Sequence, residues 1–90
     1  MRVKFFATFR EITRCSEENI PAPDDVWELL QNLSDRYQGF RAKLIDAGGA
    51  EVHPEAIVLI NGRNISFLNG KTTRLCEDDV VSLFPLVAGG

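Results

Sequence analysis

Two glycines, Gly89 and Gly90, close the chain directly behind the apolar run Val80-Val81-Ser82-Leu83-Phe84-Pro85-Leu86. This is where the sequence looks most like chemistry. A backbone without Cβ approaches another protein closely and enters a channel that any side chain would block, which leaves the α-carboxylate of Gly90 unhindered. Residues 80–86 read as a buried strand, so residues 86–90 are expected to leave the core as a flexible, extended tail. Leu86, Val87, Ala88, Gly89 and Gly90 would together reach roughly 16 Å at about 3.3 Å each. The alternative reading of the same glycines is an inert terminus.

No other part of the chain supplies catalytic equipment. Nucleophile-elbow, zinc-protease and phosphate-loop patterns are missing, and Gly48-Gly49 lacks the spacing and the lysine of a P-loop. His53, beside Pro54, reads as a solvated loop residue without a partner. Cys15 and Cys76 match neither a redox pair nor a zinc pattern and read as small, fairly apolar side chains. The acids Glu77, Asp78 and Asp79 read as a solvated turn before a strand rather than a cation site. Trp27 is either a core-edge residue or a docking contact.

Composition narrows the setting. Ninety residues, 44% apolar and 26% charged, make one small globular domain with no need of staples. The net charge is −3, and the basic residues are scattered among acids, which argues against nucleic acid or an anionic membrane as partner. The opening Met1-Arg2-Val3-Lys4 shows no signal segment and no apolar run is long enough to span a bilayer, so a cytoplasmic protein is expected.

The tail needs a body to present it. Val3, Phe5, Ala7 and Phe9 alternate with Lys4, Phe6, Thr8 and Arg10 at strand period, and residues 17–22 suit a second strand at a sheet edge, forming a hairpin with the first. Val26, Leu29, Leu30, Leu33 and Tyr37 follow helical spacing, which predicts a helix over residues 25–38 with Asp25 as N-cap, Glu28 completing an acidic capping box, and Gly39 as its end. Residues 40–47 add a further turn, and a polar, mobile loop is expected from Gly48 to Pro54. The apolar run 56–60 leads into Asn61-Gly62, a type I′ hairpin signal, and Asn69-Gly70 repeats the signal before a strand at 72–75. The first and last strands are the most apolar and are expected side by side in the centre of the sheet. The architecture expected is α+β, a β-grasp: a mixed sheet of four to five strands with one main helix packed on one face.

Three stretches carry a resemblance: Val3-Lys4-Phe5-Phe6-Ala7-Thr8-Phe9-Arg10-Glu11, Ala56-Ile57-Val58-Leu59-Ile60-Asn61-Gly62-Arg63, and the ending from Asp79 through Phe84-Pro85-Leu86-Val87-Ala88-Gly89-Gly90. Together they resemble the MoaD/ThiS sulfur-carrier family over the whole chain, and the ending is the most specific part. The resemblance implies a ubiquitin-like protein, not itself an enzyme, that acts as the small subunit of molybdopterin synthase. An E1-like enzyme of the MoeB/ThiF type would adenylate Gly90 with ATP, and a sulfurtransferase would supply the sulfur of a terminal thiocarboxylate. The modified states implied are a glycyl adenylate and a 1-thioglycine, with no permanently bound cofactor and no metal. The charged tail would enter a MoaE-like large subunit, which holds the catalytic residues, and give its sulfur to a pyranopterin. By the same resemblance Gly90 carries the sulfur, Gly89, Ala88, Val87 and Leu86 form the inserted tail, and Phe84 and Pro85 guide it and dock the partner.

Adenylation first is chemically required, because a carboxylate is anionic and has no good leaving group until phosphoryl activation supplies one. Phe6 lies on the strand face opposite Phe5 and Phe9, where it either docks a partner through an apolar patch or packs beneath a loop. Two departures from the family pattern stand out. Leu86 occupies a position where many relatives have a second proline, and Asp78 replaces a glycine before the last strand, which puts that turn's geometry in question. Residues 46–55 also look longer than in compact relatives. Three other functions share the same tail: a ubiquitin-like modifier joined to lysines through Gly90, a sulfur carrier for another pathway such as thiamin thiazole, and a β-grasp interaction module with an inert end.

Overall fold

The computed structural model describes residues 1–86. Its five strands are β1 (Arg2–Phe5), β2 (Glu17–Asn19), β3 (Ala56–Ile60), β4 (Arg63–Asn64) and β5 (Val80–Pro85), and its helices are α1 (Thr8–Thr13), α2 (Val26–Arg36) and α3 (Arg41–Leu44). The sheet order is β2-β1-β5-β3-β4, with β1 and β5 parallel at the centre and the other neighbours antiparallel. This is the β-grasp expected.

The core forms where the two periodicities meet. Val3 and Phe5, Val58 and Ile60, and Val81 and Leu83 turn one face of the sheet inward, while Val26, Leu29, Leu30 and Leu33 supply the apolar stripe of α2 against it. All four α2 residues are fully buried. Phe40 seals the far end, its ring centroid 6.0 Å from Phe5, 5.4 Å from Phe9 and 5.1 Å from Tyr37. The helix begins where Asp25 directs it to begin. The carboxylate Oδ1 of Asp25 accepts the Glu28 amide at 2.9 Å, and Glu28 reaches back to the amide of Asp24 at 3.4 Å, one residue beyond the usual capping-box partner.

Four expectations need correction. The first strand stops at Phe5 instead of running to Phe9: Ala7 adopts φ 53° and ψ −126°, the chain turns into α1, and Phe9 reaches the core from that helix. Residues four apart share a side at strand period and nearly so at helical period, so Phe5 and Phe9 could not reveal the change. The second strand ends at Asn19 because the pairing runs out with the bond from the Ile20 amide to Met1 O, and Pro21 has no amide to add. The main helix ends at Arg36, two residues before the expected end, since Tyr37 is already extended; Gly39, at φ 98°, turns the chain into α3. Asn61 and Gly62 both take positive φ and close the β3–β4 hairpin, but Asn69-Gly70 opens a 3₁₀ turn at Gly70–Thr72. The strand expected at 72–75 is replaced by bonds to the start of α2, from the Val26 amide to Thr73 O and from the Leu75 amide to Asp24 O.

The Asp78 turn, by contrast, closes without strain. Asp78 is not among the non-glycine residues with positive φ, the Asp79 amide donates to Cys76 O at 3.0 Å, and the Asp79 carboxylate accepts the Cys76 amide at 2.8 Å. Aspartate therefore serves here without a glycine's freedom.

Three outcomes are expected. Ala7→Gly should raise stability by about 1 kcal/mol in urea denaturation, because relief of an alanine held in a glycine-like conformation outweighs the added freedom of the unfolded chain. Phe40→Ala should cost about 3–5 kcal/mol by the same measurement. Tyr37 is the only tyrosine, and burial first, then its hydrogen bond to the Glu18 carboxylate, raise its pKa above the ordinary tyrosine value. The raised pKa means that the neutral phenol is favoured by folding, so this contribution to stability is fully present below about pH 10 and is lost as pH rises through the folded value. Phenolate absorbance followed against pH should show a midpoint above that of the unfolded chain.

Candidate functional site

The tail is rooted at the end of a central strand. Pro85 pairs with Ala56 as the last residue of β5, and the Leu86 amide then donates to Glu55 O at 2.7 Å, one rung beyond the strand. Leu86 is 52% exposed. Val87, Ala88, Gly89 and Gly90, expected to complete the inserted tail and carry the reacting group, lie outside the described residues.

The sheet face turned away from α2 follows from the pleat. Residues alternating with the buried set place Val80, Ser82 and Phe84 of β5 on it, beside Lys4 of β1 and Ile57 and Leu59 of β3. Phe84 stands opposite Ile57, and Ser82 opposite Leu59. Phe6 joins them through its own amide, which donates to Leu83 O at 3.2 Å. Its ring stacks on Phe84 with centroids 4.2 Å apart and planes within 9°. Phe6 therefore takes neither of its expected places alone: it is half-buried, and what it packs against is Phe84. Of the three residues expected to dock a partner, the structure brings Phe6 and Phe84 together on this face; Pro85, the next residue of β5, alternates to the other side, where it lines a cavity with His53 and Leu86.

At the opposite edge of this face, the Arg2 guanidinium donates two hydrogen bonds to Glu17, at 3.0 and 3.1 Å. That hydrogen bonding is the main cause that lowers the Glu17 pKa. Both side chains are exposed, so the pair marks a polar rim beside the apolar patch and adds little to stability.

The remaining candidates take structural places. Glu77 accepts the Ala22 amide at 2.8 Å and lies 3.5 Å from the Met1 ammonium, and Asp79 also accepts from the Asn61 side chain at 2.9 Å, so the acids build a turn. Among the described residues, no group of three or more His, Cys, Asp or Glu is placed to hold a metal ion. Cys15 is half-buried and Cys76 exposed, both as free thiols. Trp27 is a core-edge residue, half-buried, with Lys71 Nζ 5.0 Å above its ring. Among the described residues no helix is long and apolar enough to cross a membrane.

His53 is the residue that sequence reasoning misplaced. It is half-buried instead of solvated, its amide donates to Leu44 O at 2.8 Å, and its Nδ1 accepts the Glu55 amide at 3.0 Å. It lines a cavity of about 390 Å³ beside Pro85 and Leu86. The spacing of His53 two residues before Glu55 was the available signal, because short-range acceptance of an amide two residues on is a habit of turn-forming polar side chains.

A mixed five-stranded sheet grasping one main helix, with its last strand central and followed by a glycine-ended segment, defines a ubiquitin-like β-grasp protein. The model of the ThiS family matches residues 3–90. The chain is 41% identical over 92 residues to small archaeal modifier protein 3 of Haloferax volcanii, covering all of this chain and 98% of that one. The solution structure of small archaeal modifier protein 1 from Methanosarcina acetivorans superposes with a TM-score of 0.87 at 30% identity, covering 99% of this chain and 94% of the other. The sulfur carrier protein CysO of Mycobacterium tuberculosis is 26% identical over 68 residues, 74% of this chain and 73% of its own. The chain belongs to the ThiS family, and the relatives it resembles are named as small archaeal modifiers and a sulfur carrier.

The stacked pair gives a direct test. A double-mutant cycle of Phe6→Ala and Phe84→Ala, read by urea denaturation, should return a coupling of about 0.5–1.5 kcal/mol.

Proposed function

We propose that this protein is an acyl carrier of sulfur, whose Gly90 carboxyl is adenylated and then converted to a thiocarboxylate. The observation that carries the reading is the Gly89-Gly90 ending behind β5 in a chain of the ThiS family. In the first step a Gly90 carboxylate oxygen attacks the α-phosphorus of ATP and pyrophosphate leaves. In the second the terminal sulfur of a sulfurtransferase persulfide attacks the acyl carbon and AMP leaves; a thiol then cleaves the acyl disulfide so formed, which frees the thiocarboxylate and leaves that thiol joined to the sulfurtransferase sulfur as a disulfide. The activating side chains and the metal for ATP come from an E1-like partner, and the sulfur from a sulfurtransferase. The protein itself contributes the carboxyl, a slim tail formed by Leu86, Val87, Ala88 and Gly89, an apolar docking patch of Phe6 and Phe84, and Pro85 as the guide at the tail root. Desolvating two stacked phenylalanines beside the tail root suits burial against one dedicated partner.

The pathway that fits the Phe84-Pro85-Leu86-Val87-Ala88-Gly89-Gly90 ending is molybdopterin synthesis. There this chain acts as the small subunit of molybdopterin synthase, and a MoaE-like large subunit receives the tail. A second reading is favoured by the 41% identity to a small archaeal modifier: the same adenylate is attacked by a lysine amine of a target protein, AMP leaves, and an isopeptide bond forms. The two uses share activation and part only at the nucleophile.

Intact mass after co-expression with an E1-like enzyme and a sulfur source should show the exchange of one oxygen for one sulfur in the wild type and none after deletion of Gly90. Conjugates of the wild-type chain on other proteins, absent in the deletion, would establish the modifier. An unchanged mass and no conjugates, with the enzyme shown to be active, would reduce the protein to an interaction module. Phe84→Ala should weaken half-saturation by the activating enzyme by about tenfold, as expected for loss of an aromatic anchor.

A further inference from the structure

The reading above leaves residues 46–55 and His53 without work, and both converge on the tail root. The segment is held at both ends. The Asp46 carboxylate accepts the amides of Ala50 and Glu51 at 3.1 and 3.2 Å, Ile45 bridges Val52, and Lys71 bonds both Ala50 O and the Glu51 carboxylate. His53 is then fixed by its amide on Leu44 O, and the Ala56 amide donates to His53 O at 3.0 Å. From this platform the His53 Nδ1 accepts the Glu55 amide, and the carbonyl of the same Glu55 accepts the Leu86 amide.

We infer that His53 and Glu55 form a clamp that sets the direction in which the tail leaves the body, and that His53 is a positioning residue for reaction at Gly90. The inference rests on the reading of Gly90 as the activated acyl group. Its physical content is preorganisation: a residue already held extended in line with β5 has less backbone freedom to lose when a partner's channel takes the tail. Leu86 makes this possible in the present chain, because proline at that position has no amide and could not close the rung. The imidazole acts through the Glu55 peptide and not on the reacting atoms. Its acceptance of an amide two residues on is geometry that asparagine reproduces and alanine cannot.

The test compares wild type with His53→Ala, His53→Asn and Leu86→Pro, using backbone amide exchange by NMR and adenylation kinetics with the E1-like enzyme and ATP. In His53→Ala the Leu86 amide should exchange about tenfold faster while Leu83 in β5 keeps its protection, and the KM for the protein should rise about five- to tenfold with kcat held. His53→Asn should restore both values, and Leu86→Pro should raise KM alike. An unchanged Leu86 exchange rate in His53→Ala, or a fall in kcat with KM held, would overturn the clamp. Wild-type protein that is never adenylated would instead defeat the acyl reading, and the exchange rates would still decide whether His53 holds the tail root.

Discussion

Parallel strands cannot be joined by a tight turn, so the pairing of Arg2–Phe5 with Val80–Pro85 obliges the chain to make residues 6–79 into one crossover. That pairing sets the rest of the structure. It places β5 between two neighbours, with Val81 and Leu83 wholly removed from solvent and its ladder bonded on both sides. It requires something apolar to lie over the buried face, and the stripe of α2 does so. It also fixes which β5 residues look outward, and Phe84 is one of them. The proposed docking patch and the tail root are therefore two readouts of one strand: its outward residue Phe84 belongs to the patch, and the strand's end leads to the tail.

Placing the proposed reacting end behind the central strand has a mechanical logic. A tail hung from an edge strand or a loop would carry the fluctuations of its anchor, whereas β5 is held by the most deeply buried pairs in the domain. The acidic turn before β5 serves this anchoring. Glu77 ties the Met1 ammonium and the β2 exit together, and Asp79 and Asn61 fasten the start of β5 through three side-chain hydrogen bonds. The acidic run thus organises the entry to the strand whose exit carries the proposed chemistry.

Much of this could be read from residues alone, for identifiable reasons. The amphipathic stripe and Asp25 cap of α2, the run of β3 and the Asn61-Gly62 turn are local signals, each complete within a few residues. The central place of β1 and β5 followed from their apolarity. What escaped depended on contacts distant in sequence or on conformations without a residue signature. Ala7 holds a backbone shape that a glycine would have advertised, so α1 stayed hidden inside an apparent alternation. Thr73 and Leu75 read as strand because their amide and carbonyl partners, Asp24 and Val26, lie some fifty residues away on the capped helix. Phe6 and His53 were visible as residues but not as contacts: the first needed the register of β1 against β5, and the second needed the turn that brings Glu55 beside Leu86.

Synthesis on the ribosome makes β1 before β5, and the strand order gives that direction a meaning. Until residues 80–85 emerge, β1 has no parallel partner, β3 lacks the neighbour that covers its second side, and the apolar rows of α2 and Phe40 have only an incomplete sheet to lie on. Contacts this far apart in sequence form late and all together. A nascent chain halted before β5 is thus an open, sticky intermediate of the kind chaperones and proteases remove. Folding in this molecule doubles as a completeness check, since the closed sheet and its Phe6–Phe84 face can exist only after the strand that leads to the tail has been made.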